Sequence, residues 1–343
     1  MAGHGRGAIR RLAAAAAVSN VGNWAATTAL ALAIFFQTKS TVWLSATFLF
    51  TQLPSALAAP IGGLIADRLN RQRVMVVCDL LGAACYAGMG LVRSPTDLIL
   101  LGSVASLLHM PFGPSSRAAV PNLVDESDLS WANGTLAAAG NVGNLLGPLL
   151  GGVVFEVANA HAVFWANAIS FVISAVVVAA IRGRFAAKFS THRERGRGDI
   201  WDGVRFIWRQ PTLLTLTAVG AVTFIATEMA SVADLPLVAH FGVGGGGYGV
   251  MNTIWGAGGL VGGLVAAHVV TRQREPAVAV YSVVLFGVFV AAVGVSPWFG
   301  LIPVFMFVFA FCDSFAFVAS TASISEGRPT RSAGGSSQPS EAQ

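Results

Sequence analysis

The stretch GGLIADRLNRQR, Gly62 to Arg73, decides how the rest of the chain is interpreted. Two glycines close a long apolar run, and four charged side chains then follow within seven residues. The charged residues are Asp67, Arg68, Arg71 and Arg73. A short basic turn between two apolar segments is typical of a loop that joins membrane-spanning helices on the side where Lys and Arg accumulate.

The composition supports a membrane location. Hydrophobic residues make up 55% of the 343 residues, charged residues only 11%, and the mean hydropathy is +0.68. A soluble domain carries about 25% charged residues, so this chain has too few to cover a water-facing surface. We therefore expect an all-α integral membrane protein that has the lipid bilayer as its surroundings.

Ten segments are long and apolar enough to cross a bilayer, which takes about 20 residues per helix. The apolar runs are continuous rather than alternating, which favours helices over the strands of a membrane barrel. The segments are 13–36, 42–66, 74–92, 97–120, 133–157, 161–181, 212–238, 247–270, 276–296 and 298–322.

The positions of Lys and Arg predict the orientation of these spans. With both termini in the cytoplasm, 18 of the 21 basic residues lie in the leader, the cytoplasmic loops or the tail. Lys39 and Arg93 are then outside, and Arg117 lies within a span. This topology explains the basic net charge without nucleic-acid binding. We expect a multi-pass protein of a bacterial plasma (inner) membrane.

The spans fall into two unequal halves. Residues 1–181 form a predicted six-helix bundle, 182–211 a cytoplasmic linker with an amphipathic segment, and 212–322 an incomplete four-helix bundle. A polar tail, predicted to be disordered, occupies 323–343. GGLIADRLNRQR has a degenerate partner in GGLVAAHVVTRQR at Gly262, again after the second span of its half. Such a repeat is typical of transporters built from two parallel bundles.

The loop also resembles the signature G-x-x-x-D-R-x-G-R-x-R of the major facilitator superfamily. Asn70 stands where that signature has glycine. The matching residues are Gly63, Asp67, Arg68, Arg71 and Arg73. Over residues 8–320 the chain is most similar to the macrolide-efflux and enterobactin-exporter-like branch of drug:proton antiporters. The resemblance implies a transporter rather than an enzyme.

A second resemblance lies in GNVGNLLGPLLGG, Gly140 to Gly152, within the fifth span. It is similar to the motif G-x-x-x-G-P-x-x-G-G that is associated with antiporters. The matching residues are Gly143, Gly147, Pro148, Gly151 and Gly152. Glycines at every fourth position let another helix approach closely, and the proline permits a bend. The alternative is an ordinary packing face of small residues.

The charged loop predicts a gate at the cytoplasmic side. Its charges can form ion pairs with Asp125, Glu126 and Asp128 between spans four and five. Pairs that form in one conformation and break in the other provide a two-state element for alternating access. Gly63 would let the helix that carries the loop approach its neighbour. The alternative is a solvated loop whose charges only set the topology.

Ionisable residues within spans are costly and therefore suggest function. Glu228 is the first candidate for a proton-coupling carboxylate, and Asp313 the second. Asp234 can equally well lie at the outer interface or have a functional role. Asp79 can equally well form a structural bond, as a helix cap or between helices, or have a function. The other candidates are Arg117, which can orient an acid or a substrate, and Asn20 and Asn23, which can line a cavity.

Several other chemistries find no support. The three cysteines lack the spacing of a metal site or a disulfide framework. GVGGGGYG contains a G-x-G-x-x-G pattern but follows no strand, so it is interpreted as a flexible outer loop rather than a nucleotide site. We expect no metal and no cofactor, with the proton gradient as the energy source.

The leading prediction is a monomeric, proton-coupled exporter of small amphipathic molecules. One alternative is export of a siderophore or an endogenous metabolite by the same fold. Another follows from the end of the chain, where the eleventh and twelfth helices of the family appear absent: a truncated protein that does not transport.

Overall fold

A computed structural model describes residues 2–182, 185, 205, 208, 209, 214, 231–269 and 275–326. Within these ranges the chain is helical and contains no strand. The helices are α1 (Ala2–Thr38), α2 (Thr41–Arg68), α3 (Arg71–Met89), α4 (Pro95–His109), α5 (Phe112–Leu123), α6 (Leu129–Val157), α7 (Ala160–Ala179), α8 (Gly245–Val269), α9 (Glu275–Gly294) and α10 (Ile302–Glu326). Residues 231–240 are also helical.

Local signals explain several helix boundaries. Lys39 takes a positive φ of 52° and separates α1 from α2. Asn70 caps α3, because its side chain accepts a hydrogen bond from the Arg73 N–H at 3.2 Å. Asn159 caps α7 in the same way through the Ala162 N–H. Side-chain caps satisfy backbone donors that a helix start leaves unpaired.

The N-terminal half packs around α1. This helix contacts α6 and α7 most extensively, while α3 packs on α7, α4 and α5. Phe164 and Phe171 of α7 are fully buried, and Phe171 stacks on Tyr86 of α3 with ring centres 5.6 Å apart. Since lipid is as apolar as these side chains, close packing rather than removal from water holds such helices together.

The fourth predicted span is interrupted. Helix α4 ends at His109, and α5 begins at Phe112 after a turn at Met110 and Pro111. Proline removes a backbone donor and clashes with the preceding turn, so a break at this point has a direct cause. Together α4 and α5 still form one apolar span from Pro95 to Leu123.

Helix α8 joins the two halves. It packs on α10 within its own half and on α6 of the N-terminal half. A Cβ atom added at Gly262 would lie 2.7 Å from Cα of Phe311, so this glycine permits close packing of α8 on α10. Helix α9 packs on the other side of α10.

Six apolar spans in the described ranges are long enough to cross a membrane. They cover Gly5–Thr38, Thr41–Arg68, Pro95–Leu123, Glu126–Val157, Ala160–Ala179 and Gly245–Ala266. In the most apolar 18-residue stretch of α2, only 6% is buried inside the protein, whereas the corresponding stretch of α1 is 61% buried. Helix α2 thus lies at the surface with apolar side chains outward, as Leu57 and Ile61 do. A bilayer suits such a surface, whereas water does not.

The structure adjusts several predicted boundaries. The segment GVGGGGYG, Gly242 to Gly249, is a loop only in its first three residues, because α8 already begins at Gly245. The last described helix continues to Glu326, four residues into the predicted tail. Residues 327–343, most of the linker and most of the seventh predicted span lie outside the described residues.

Candidate functional site: three cavities between and within the halves

Three cavities follow one another through the molecule. We call the end of the helices that carries the Arg68–Arg73 loop and the start of α1 the basic end, and the opposite end the far end. The Asp234 cavity has a volume of about 110 Å³, the His109 cavity about 100 Å³, and the wide cavity about 940 Å³. Gln52 of α2 lines all three cavities, so they adjoin one another around this side chain.

The Asp234 cavity lies between the two halves. Asp234 is only 7% exposed, and the cavity wall around it is aromatic. The N-terminal half contributes Trp24 and Phe48, and the C-terminal half contributes Tyr248, Trp255 and Phe309. A buried carboxylate within aromatic faces can bind a proton or the cationic end of an amphipathic molecule. Of the two possibilities left open from the sequence for Asp234, the structure adds that the carboxylate is buried at a cavity between the halves.

The His109 cavity lies within the N-terminal half. Asn23 lines it and accepts a hydrogen bond at 2.8 Å from the hydroxyl of Tyr86. The Nε2 atom of His109 lies 3.3 Å from Oδ1 of Asp79, a residue with no exposed surface. The second oxygen of Asp79 is buried without a hydrogen-bond partner. A base in the cavity wall, His109, is thus in contact with a buried acid, Asp79, that lies behind it.

The wide cavity lies toward the basic end. Its wall combines Arg117 of α5, Asn20 of α1 and amide side chains of α6, including Asn141 and Asn144. Arg117 is exposed to this space, and it makes no ion pair within the described ranges. A volume of about 300–1,000 Å³ is usual for pockets that take drug-sized ligands, so this cavity is large enough for one.

The glycines of the GNVGNLLGPLLGG stretch face two different neighbours. Gly143, Gly147 and Gly151 lie against α1, where added Cβ atoms would collide with Asn20, Trp24 and Ala25, respectively. At Gly143 the collision would bring Cβ within 2.6 Å of Cβ of Asn20. This close approach sets the rotation of α1 and thereby aims Asn20 and Trp24 at the cavities.

The remaining motif residues face the other half. A Cβ atom at Gly152 would collide with the backbone of Gly245 and lie 3.0 Å from Cα of Gly249. Pro148 lines the Asp234 cavity, and its carbonyl oxygen lies 2.6 Å from the position of a Cβ on Gly249. The motif therefore holds α6 between α1 on one side and α8 on the other.

The charged loop makes none of the predicted ion pairs. Asp128 pairs instead with Arg6 of α1, with Oδ1 2.7 Å from Nη2, and Asp67, Arg68 and Arg73 are exposed. No pair between the loop and residues 125–128 occurs in the part of the chain that the structure describes. In this conformation these three side chains face outward.

The loop is anchored by other groups. Gln72 donates hydrogen bonds to the carbonyl oxygens of Val178 and Ile181 at 2.9 and 2.8 Å, which satisfies the end of α7. The Arg71 N–H donates to the carbonyl oxygen of Phe185 at 3.3 Å. The signature thus connects α3 to the end of the N-terminal half.

The prediction for Gly63 is also wrong in its detail. A Cβ atom at Gly63 would meet nothing within 4 Å, whereas one at Gly62 would lie 3.3 Å from the side chain of Met110. The close approach belongs to the neighbouring glycine. Its partner is the turn between α4 and α5, so α2 touches the break in the fourth span.

A polar contact joins the halves at the far end. Glu156 at the end of α6 accepts a hydrogen bond from the Gly246 N–H at 2.7 Å. Gly246 lies in the first turn of α8, where free backbone N–H groups and the helix dipole favour a negative charge. The sequence analysis did not identify Glu156. Its partner is a backbone N–H group, which no residue type in the sequence reveals.

Two carboxylate candidates from the sequence are not part of this account of the cavities, one by its position and one because it is not described. Asp313 on α10 is partly buried but lines none of the three. Glu228, the first candidate from the sequence, lies outside the described residues. The described ranges contain no group of three or more His, Cys, Asp or Glu placed to hold a metal ion.

The relatives of the chain are transport proteins. It is 27% identical over 311 residues to the MFS-type transporter YfiS of Bacillus subtilis (strain 168), covering 88% of this chain and 73% of YfiS. It is 30% identical over 196 residues to the multidrug efflux pump Tap of Mycobacterium tuberculosis (strain ATCC 25618 / H37Rv). That alignment spans 53% of this chain and 46% of Tap, about half of the relative.

Solved structures share the fold at low sequence identity. A mutant of the nucleoside transporter NupG superposes with a TM-score of 0.77 at 15% identity, covering 93% of this chain and 83% of NupG. An inward-facing, unoccupied bacterial homolog of the lysosomal transporter Spinster gives 0.70 at 15% identity, covering 94% and 75%. A profile of the Major Facilitator Superfamily matches residues 12–337. The chain therefore belongs to the Major Facilitator Superfamily of transporters.

Proposed function

We propose that this transporter exports small amphipathic molecules from the cytoplasm in exchange for protons. The observation that carries the proposal is the buried carboxylate of Asp234 in an aromatic cavity between the halves. One such group can bind either a proton or the positive end of an apolar molecule, and exclusive binding of the two produces exchange. The similarity to the multidrug efflux pump Tap supports the same substrate class.

The order of the cavities supports a direction of transport. If the basic end faces the cytoplasm, as the Lys and Arg distribution predicts, the wide cavity is the cytoplasmic entry. A drug-sized molecule fits the wide cavity, whereas about 110 Å³ around Asp234 is too small for one. A substrate would enter the wide cavity first and reach Asp234 only as the halves move.

The contacts between the halves support an alternating-access mechanism. In this conformation α6 and α8 touch along Pro148 and Gly152, and Glu156 holds the start of α8 at the far end. Breaking these contacts while the basic end closes would expose Asp234 to the far side. Backbone-to-backbone contact between glycines suits an interface that forms and breaks, since few side chains need to repack.

Accumulation of a substrate panel tests the proposal. Cells that lack other efflux pumps would express the chain and receive ethidium, a macrolide or tetracycline, with and without an uncoupler. We expect lower accumulation of at least one compound, and the uncoupler should abolish the difference. Equal accumulation in expressing and control cells for every compound would favour the non-transporting alternative instead.

A second candidate is export of an anionic metabolite or siderophore. Arg117 favours it, because this cation faces a wide cavity whose wall also contains amides and hydroxyls, among apolar side chains, and these polar groups suit an oxygen-rich substrate. Variants separate the two candidates. Arg117→Gln should reduce export of anionic compounds and spare ethidium, whereas Asp234→Asn should do the reverse.

A further inference from the structure

We infer that Asp79 and His109 form a second proton-binding site, within the N-terminal half. His109 exchanges the proton with the cavities, and Asp79 holds the imidazole ring in place. The pair is defined by a distance of 3.3 Å between Nε2 of His109 and Oδ1 of Asp79. The inference deepens the proposed function and rests on its proton coupling.

The burial of the two residues explains why they hold a proton. Asp79 has no exposed surface, and its Oδ2 atom has no hydrogen-bond partner. An ionised carboxylate in such a place is costly unless a positive charge compensates it. One proton on the pair gives either an imidazolium beside a carboxylate or an imidazole beside a carboxylic acid. Both states avoid the uncompensated buried charge.

The position of His109 gives the proton a route. The side chain of His109 is 20% exposed and lines both the His109 cavity and the wide cavity. Asp79 lines neither of them, so the proton must pass through the imidazole. A histidine is suited to this exchange, since it changes its charge in the physiological pH range.

The site lies where the fourth span is broken. His109 is the last residue of α4, and its ring stacks on Phe112, the first residue of α5, with centres 5.0 Å apart. Phe171 of α7 holds the ring from its edge at 4.9 Å. A shift of α5 relative to α4 would therefore disturb the histidine and its distance from Asp79.

The turn between α4 and α5 also contacts α2, the helix that leads into the signature loop. Gly62 of α2 packs on Met110, which directly follows His109. A movement of α2 would be transmitted to the turn and from there to the imidazole. Proton binding at Asp79 and His109 is thus linked by contact to the helix that carries Asp67 and Arg68. This connection gives the buried pair a way to follow the conformation of the transporter.

Other ionisable groups on the packed helices are placed differently. Arg117 of α5 shares the wide cavity with His109 and opposes a positive imidazolium. Cys78 precedes Asp79 on α3 and is buried. Cys85 and Tyr86 lie further along α3, and the Tyr86 hydroxyl donates its hydrogen bond to Asn23. The other charged or titratable groups lie toward the helix ends: Arg6, Arg10, Arg11, Asp67, Arg68, Arg71, Arg73, Asp125, Glu126, Asp128 and Arg182 at the basic end, and Lys39, Arg93, Asp97, Glu156 and His161 at the far end. Asp79 is therefore the carboxylate that contacts His109.

Infrared difference spectroscopy of the full chain in nanodiscs tests the site without any substrate. Spectra would be compared between about pH 5 and pH 8, where an ordinary histidine changes its charge. We expect an imidazole signal that disappears in His109→Gln and a carboxyl signal that disappears in Asp79→Asn. The carboxyl signal should also change in His109→Gln, because the two groups share a proton.

His161→Gln is the matched control. His161 is also partly buried and packs edge-on against an aromatic ring, but its Nδ1 atom contacts the carbonyl oxygen of Gly90 rather than an acid. This variant should keep both signals. If His109→Gln left the difference spectrum unchanged, or His161→Gln removed the same signals, the inference would be wrong. Should Asp79→Asn fail to fold, His109→Gln alone still decides the matter.

Ethidium efflux from proteoliposomes separates this inference from the proposed function. With an imposed proton gradient, His109→Gln should weaken the dependence of efflux on pH, and the part that Asp234 provides should remain. Wild-type efflux that ignores the gradient would overturn the proposed function and leave the spectroscopic result standing. Gradient-driven efflux without a shared titration of Asp79 and His109 would overturn the inference alone.

Discussion

At the scale of single residues, two carboxylates of the C-terminal half provide a matched comparison. Asp234→Asn should reduce proton-driven ethidium efflux by about tenfold or more, because an amide cannot carry the proton that a buried carboxylate carries. Asp313→Asn should stay within about twofold of the wild type, since Asp313 lines none of the three cavities through which we expect proton and substrate to pass. Efflux rates in proteoliposomes with an imposed pH gradient would measure both. Equal losses in the two variants would contradict the role given to the Asp234 cavity.

Glu156 offers a second test at this scale. Glu156→Ala removes the carboxylate that accepts the Gly246 N–H, and an exposed charge at a helix start stabilises by about 0.3–1 kcal/mol. The far-end-open conformation should therefore become about two- to fivefold more populated. Alkylation of a cysteine placed in the Asp234 cavity, with the reagent on the far side, would report this population. Glu126→Ala, an exposed acid at the basic end, is the control, and an equal increase there would count against the Glu156 contact.

The surroundings of individual residues were the part of the structure that the sequence could not predict. The apolar context of Asp234 marked it as costly, but not which way its helix turns the carboxylate. His109 has no motif around it, and its significance comes from Asp79, 30 positions earlier in the chain. Gly62 and Gly63 differ only in which of them faces Met110. Each of these facts depends on helix rotation and on a neighbour distant in sequence, which residue type alone cannot supply.

At the scale of elements, adjacent glycines of α6 should have different roles. Gly151→Ala would force Cβ against the backbone of Ala25 in α1, and overpacking of this kind costs about 1–3 kcal/mol. We expect a clear fall in the thermal midpoint of the detergent-solubilised protein. Gly134→Ala, where an added Cβ meets nothing within 4 Å, should leave the midpoint nearly unchanged.

Gly152→Ala should act on conformation rather than on the stability of the N-terminal half. Its Cβ would press on Gly245 and Gly249 of α8, which belong to the other half. We therefore expect increased far-end accessibility of the Asp234 cavity in the same alkylation assay, with a smaller change of thermal midpoint than Gly151→Ala. Identical effects of the two substitutions would show that α6 does not separate its two neighbours in this way.

Element-scale features were the most predictable from sequence. The spacing of Gly143, Gly147 and Gly151 indicated a bare helix face, and such a face does lie against α1. The fourth span breaks next to Pro111, where α4 and α5 separate, and proline is a common cause of such a break. Both depend on periodicity and on backbone chemistry that proline and glycine alter directly. The start of α8 in a glycine run was not predictable, because helix α8 is stabilised by packing on α6 and α10 rather than by propensity.

At the scale of the whole molecule, hydropathy was sufficient for the fold class. Ten apolar stretches and a basic loop predicted a two-part membrane transporter, and membership of the superfamily agrees with that. The predicted ionic gate at the basic end was not found among the described residues, where Arg6 pairs with Asp128 instead. All of these groups belong to the N-terminal half, so which helix ends meet is set by how the helices pack within that half. Charge counts along the sequence contain no information about that packing.

The central claim is that the two halves pivot, so that the cavities open alternately at the basic end and at the far end. Distances between spin labels in nanodiscs test it most directly, with one pair at Ser130 and Leu264 toward the basic end and another at Val157 and Val295 toward the far end. All four side chains are exposed. When ethidium is added or the pH is changed, we predict that one distance shortens while the other lengthens. Two distances that stay constant, or that change in the same direction, would contradict the account.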